Sequence, residues 1–115
     1  MLPKKHRIRK NADFELICRQ GKTIACGKLI LKIKKNNLAV TRLGISVGLK
    51  FSSKAVARNK IRRQVRAFFE KNLKKIQISW DIIVIVQKGA DDDVKMLAEL
   101  ENSLIKNGLI NNALK

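Results

Sequence analysis

Ser53–Ile76, SKAVARNKIRRQVRAFFEKNLKKI, decides the fold. At about 100° per residue, Ala57, Ile61, Val65, Phe68, Phe69 and Leu73 share one side of a helix, and Asn59, Arg62, Arg63, Arg66 and Lys74 fall largely opposite. One side makes a core and the other presents guanidinium groups. Arg58 sits at the border of the apolar side, in the first turn. Ser53 reads as the N-cap, and Lys74 and Lys75 suit the negative end of the helix dipole.

Outward from this helix the chain reads as five or six further elements. Asn11 is expected to cap a short helix, NADFELICRQ, that Gly21 ends in a left-handed conformation, with Phe14, Ile17 and Cys18 on one face. Lys22–Lys35 alternates as one bent strand or two, with Leu29, Leu31 and Ile33 on one face and Lys28, Lys32 and Lys34 among those on the other. Asn36-Asn37 reads as a tight hairpin turn leading into the strand Thr41–Leu49, whose Leu43, Ile45 and Val47 point inward and Arg42, Gly44, Ser46 and Gly48 outward. Trp80–Gln87, WDIIVIVQ, is almost continuously apolar and β-branched, as in a central strand covered on both faces. A last helix reaches about Asn107, packing through Leu97, Leu100, Leu104 and Ile105, and Gly108 stops it. The run Asp91-Asp92-Asp93 before it reads as first-turn carboxylates favoured by the dipole, the alternative being a metal site.

With 115 residues, the chain is expected to be a single domain, 1–115, with a basic flexible arm at 1–10 and a frayed tail at 108–115. Its 26 Lys and Arg against 9 Asp and Glu give a formal +17, which calls for a polyanionic partner. Residues 1–75 hold 22 of the bases and only 3 acids, so the polyanion should meet the N-terminal two-thirds. The 45% hydrophobic content and the periodic stretches argue for a folded chain. No run is long enough to span a membrane and the N-terminus lacks a signal-peptide core, so the expected location is cytoplasmic. Cys18 and Cys26, with His6 the only histidine, cannot supply a usual zinc set and read as reduced thiols.

Autonomous catalysis finds little support. The basic two-thirds contains only Asp13, Glu15 and Glu70 as acids and no histidine pair, phosphate loop, nucleophile elbow or HExxH motif. Binding is better supported. Arginines at 58, 62, 63 and 66 recur at helical spacing, guanidinium forks match phosphate oxygens at two points, and glutamate is nearly absent among them. A face built only for solubility normally mixes signs. Phe14 is either packing or a platform for an unpaired base.

The segment KAVARNKIRRQVR, Lys54–Arg66, resembles the RNR signature of the protein subunit of bacterial ribonuclease P. RIRKNADFELICRQGK resembles that family's first helix, RLGISV the strand before the RNR helix and WDIIVIVQKGA the strand after it. The resemblance implies an α+β fold, an α-β-β-β-α-β-α two-layer sandwich with a left-handed β-α-β crossover around a central sheet. It implies the protein component of an endoribonuclease holoenzyme that removes the 5′ leader from precursor tRNA. The catalytic RNA subunit carries the chemistry and most of the Mg2+, no metal site belongs to the protein alone, and the chain is expected to be monomeric without RNA. By position, Arg58, Asn59, Lys60, Arg62, Arg63 and Arg66 match the RNA-binding motif, and Phe14, Ser46 and Lys50 fall where leader-binding cleft residues are found. Departures from the family pattern occur at Cys18, Lys32, Gly48-Leu49-Lys50 and Gln87, which suggests a cleft that grips less by stacking and more by charge. A structural RNA binder and a self-sufficient nuclease are the competing readings.

Overall fold

The computed structural model describes residues 4–47, 54–87 and 94–110. Helix α1 (Asn11–Gln20) precedes β1 (Lys22–Cys26), β2 (Leu29–Lys35) and β3 (Arg42–Val47). Helix α2 (Ala55–Asn72), β4 (Trp80–Val86) and α3 (Val94–Lys106) follow. The Lys22–Lys35 stretch is therefore two strands, turned at Gly27-Lys28, where Gly27 takes φ +58°. This left-handed geometry disfavours residues that carry a Cβ.

The sheet order is β1-β2-β4-β3, with β3 parallel to β4 and the other pairs antiparallel. The order corrects the hairpin expected at Asn36-Asn37, because β4 lies between β2 and β3. A strand that is apolar on both sides gains most from a central position, and Ile82, Ile83 and Val84 are fully buried there. Asn36 serves the crossover through its side chain, accepting from Leu38 N–H and donating to the Val40 carbonyl and to Asp81.

Register divides the sheet into two faces. Leu29, Leu31, Ile33, Leu43, Val47, Ile82, Val84 and Val86 face α2 and α3, which contribute Ile61, Val65, Phe68, Phe69, Met96, Leu100 and Leu104 to one core. Phe68 and Phe69 meet edge to face with centroids 5.4 Å apart, a favoured aromatic geometry. The helical periodicity of α2 is thus realised as expected, with Asn72 an added buried polar residue whose Nδ2 donates to the Phe68 carbonyl.

Several ends differ from expectation. The helix α1 starts at Asn11 itself, with Lys10 in the cap position and no side-chain cap bond. Gly21 is extended, at φ −73°, and its need for glycine is steric: a Cβ there would lie 2.5 Å from the Ile17 carbonyl oxygen. Lys54 occupies the cap position of α2, with no side-chain cap bond to the helix, and Ser53 lies outside the described residues. So does the run Asp91–Asp93.

Two parts of the chain assigned to the arm and the tail are structured. Arg7 bridges to Leu43, Ile8 N–H donates to the Leu43 carbonyl at 2.9 Å, and His6 Nδ1 lies 2.8 Å from the Thr41 carbonyl. The arm thereby covers the β3 edge, which would otherwise offer unpaired backbone groups. After α3, Gly108 at φ +76° closes the helix by bonds from its own N–H to Ile105 and from Leu109 N–H to Leu104. Leu109 and Ile110 are then only 1% and 6% exposed, and Ile110 pairs with Ile76. These two residues complete the core instead of fraying.

Candidate nucleic-acid interface

The exposed side of α2 gathers Val56, Asn59, Arg62, Arg63 and Arg66 around an open depression of about 490 Å³. None of these lining residues is acidic. Asn59 Oδ1 accepts from Arg62 Nη1 at 3.1 Å, and Arg62 Nη2 reaches the Val47 carbonyl at 3.4 Å, so one guanidinium is braced between the helix and the end of β3. Bracing lowers the rotamer entropy that Arg62 would lose on meeting a phosphate. Arg58 is half-buried towards the apolar border, as its position in the helical repeat requires, and Lys60 is exposed on the other flank. Four of the six motif residues therefore line one surface, and Arg58 and Lys60 flank it. Val56, 78% exposed, was missed as part of this surface. Its spacing of three and seven from Asn59 and Arg63 was the available signal.

The second surface is the sheet face opposite α2 and α3. Register sets three rows across it: Ala25, Ile30, Ile85 and Ser46; Thr23, Lys32, Ile83 and Gly44; and Lys34, Asp81 and Arg42. Helix α1 lies against β2 and β4, with Ile17 buried. Phe14 rests on Gly44, where a Cβ would lie 3.2 Å from its ring and 3.4 Å from both Ile8 and Ile83. Ser46 is two residues further along β3 on the same face, half-buried beside Ile85. Phe14 and Ser46 thus share one face of the sheet, the one that α1 crosses, while Lys50 lies outside the described residues.

Among the departures, Cys18 is half-buried on α1, Lys32 donates to the Thr23 hydroxyl, and Gln87 is exposed.

An ion-pair network closes one end of this face. Arg42 donates from Nε and Nη2 to the two oxygens of Asp81, both at 2.8 Å, and Nη1 lies 3.4 Å from Asp13 on α1. Asn36 supplies a further bond to Asp81 at 2.8 Å. The hydrogen bond to Asp81 raises the Arg42 pKa against the opposing effect of burial, and the charges of Asp81 and Asp13 add to it. Burial likewise pushes the Cys26 thiol up, against a lowering hydrogen bond with Ser103.

Among the described residues no group of three or more His, Cys, Asp or Glu side chains lies close enough to hold a metal ion, so these residues do not fit a protein-borne Mg2+ site. Nor is any described helix long and apolar enough to cross a membrane.

A small α+β domain with an arginine-lined depression free of acids on one helix, and a part-apolar sheet face crossed by another helix, has the features of the class of folded-RNA binders. The family model for ribonuclease P matches residues 2–108. The ribonuclease P protein component of Picosynechococcus sp. is 36% identical over 107 residues, covering 91% of this chain and 92% of that protein. The solved structure of the Staphylococcus aureus RNase P protein superposes with a TM-score of 0.83 at 36% identity, covering 92% of this chain and 98% of that one. The Thermotoga maritima RNase P protein gives 0.76 at 34%, covering 87% and 96%. The chain belongs to the ribonuclease P protein family, whose members are components of the ribonuclease P holoenzyme.

Proposed function

We propose that this chain assists a catalytic RNA subunit in removing the 5′ leader of precursor tRNA by holding the two RNAs on different surfaces. Asn59, Arg62, Arg63 and Arg66, flanked by Arg58 and Lys60, bind the RNA subunit. Phe14 and Ser46, with Lys50, bind the leader on the sheet face that α1 crosses. The chain acts in the cytoplasm and is a monomer before it meets RNA. The observation that carries this reading is the depression lined by three arginines with no acidic residue among them, in a chain of net charge +17. Guanidinium groups there pair with phosphate oxygens and lower the repulsion between two RNA strands that must approach each other. Mg2+ held with the RNA subunit supplies the hydrolytic chemistry. The protein contributes charge and position, and so lowers the concentration of Mg2+ that cleavage needs.

The test adds the purified chain to a bacterial ribonuclease P RNA and precursor tRNA at limiting Mg2+. Leader removal should accelerate over RNA alone. An unchanged rate would refute the reading, and cleavage by the chain without RNA would replace it with that of a self-sufficient nuclease.

A further inference from the structure

We propose that Arg42 is a positioning residue for the leader-binding cleft, acting through Asp13 to fix α1 and with it Phe14; this rests on the cleft reading given above. The guanidinium is held by two 2.8 Å bonds to Asp81, which is 4% exposed near the start of the central strand β4. Its third nitrogen is thereby aimed at Asp13, 3.4 Å away and next in sequence to Phe14. Asp81 is itself fixed by Asn36, so the aim of Arg42 is set by three separate segments of the chain. Planar guanidinium suits this task, because a single ammonium cannot satisfy one carboxylate at two points and reach a second. Where the ring rests, Gly44 offers no side chain that would fix Phe14 sideways. Helix α1 has no side-chain cap bond at its N-terminus, so the Asp13–Arg42 pair is the charged tether described between its first turn and β3. Loosening it should let the ring move relative to Ser46 and change the width of the cleft.

Asp13→Ala is the informative variant, because Asp13 is half-exposed and Arg42 keeps its pair with Asp81. Two readouts separate the possibilities. The first is 19F NMR of the full chain labelled with 4-fluorophenylalanine, with the Phe14 resonance assigned by its loss in Phe14→Ala. The second is the preference of the reconstituted holoenzyme for leader-bearing precursor tRNA over mature tRNA.

Asp13→Ala should shift the Phe14 resonance, keep the melting temperature within a few degrees, and lower leader preference by roughly two- to five-fold, the range that a half-exposed ion pair can couple. The double variant Asp13→Ala/Phe14→Ala should be no worse than Phe14→Ala alone, and Asp13→Glu should restore both readouts. An unmoved resonance, or losses that multiply in the double variant, would overturn the proposal. If the resonance moves but neither Asp13→Ala nor Phe14→Ala alters leader preference, the tether stands and the leader-cleft reading falls.

Discussion

Replacing Asp81 by alanine should be among the most damaging single changes in the described part of the chain. The carboxylate is 4% exposed and accepts three bonds of 2.8 Å, two from Arg42 and one from Asn36. Without it, the Arg42 side chain, itself 19% exposed, retains Asp13 at 3.4 Å. Breaking a buried ion pair from one side costs about 3–5 kcal/mol, because the remaining charge keeps its desolvation penalty. The partial exposure of Arg42 places the expected loss near the lower end, about 3 kcal/mol. That is a large fraction of the roughly 5–15 kcal/mol that holds a domain together, and corresponds to a melting temperature lower by about 12 °C at about 4 °C per kcal/mol. The loss should be nearly constant between pH 6 and 9. The folded-state Arg42 pKa lies above its unfolded value, so its contribution is complete throughout that range and is lost only as pH rises through the folded value. Equilibrium urea unfolding, followed by circular dichroism and by the fluorescence of Trp80, the only tryptophan, measures it. Removing both partners as Arg42→Met/Asp81→Leu should recover most of the loss, because no buried charge is then stranded. An Asp81→Ala loss below about 1 kcal/mol, or a double variant as unstable as the single one, would refute this account of the network.

Arg62→Ala, Arg63→Ala and Arg66→Ala should each flatten the dependence of log affinity for the RNA subunit on log salt, by about 0.7–0.9 for each phosphate left without its cation. Unchanged slopes in filter binding would mean that this face meets no phosphate. Gly21→Ala should destabilise by about 2 kcal/mol, because its Cβ would meet two backbone oxygens, those of Ile17 and Ile33, at 2.5 and 2.9 Å. Alanine at Gly108, where φ is +76° and the space is open, should cost about 1 kcal/mol in the same denaturation assay. In alkylation at neutral pH, read by mass spectrometry, half-buried Cys18 should react before buried Cys26. Because burial raises the Cys26 pKa, stability should be complete below the ordinary thiol range and fall as pH rises through it. A Cys26→Ser variant, which lacks that titration, should show a smaller fall.

The parts of the fold legible from residues alone are those set by local geometry. Ile61, Val65, Phe68 and Phe69 repeat at helical spacing, and the same spacing assembles Asn59, Arg62, Arg63 and Arg66 on the other side of α2. Ile82 to Val86 declares a central strand because no face of it is polar enough to meet water. The strand order was not legible, since the turn chemistry of Asn36-Asn37 cannot report a strand that arrives 44 residues later. The long-range signal lay instead in charge: Asp81 is the sole acid between Lys71 and Ala90, and it stands opposite Arg42 in the sheet. Leu109 and Ile110 were missed because two apolar residues after a stop signal form no period. The leader-binding cleft was expected from family resemblance alone, because the packing of α1 across β2 and β4 is a contact between separate segments that no local period reports.

Of the three carboxylates in residues 1–75, Asp13 is engaged away from the arginine-lined depression of α2. Asp13 pairs with Arg42, which Asp81 also holds from the other end of the chain, so the carboxylates placed in this network serve an arginine drawn into the fold. No acid lines the depression on α2. Like charges gathered on one helix repel each other across less than a Debye length, and this opposes folding in the absence of counter-charge. A polyanion laid along α2 removes that repulsion while it binds, so part of the binding free energy comes from relief of a cost already present in the free chain. The same arginines that make the isolated domain less stable are what make RNA its natural counter-ion.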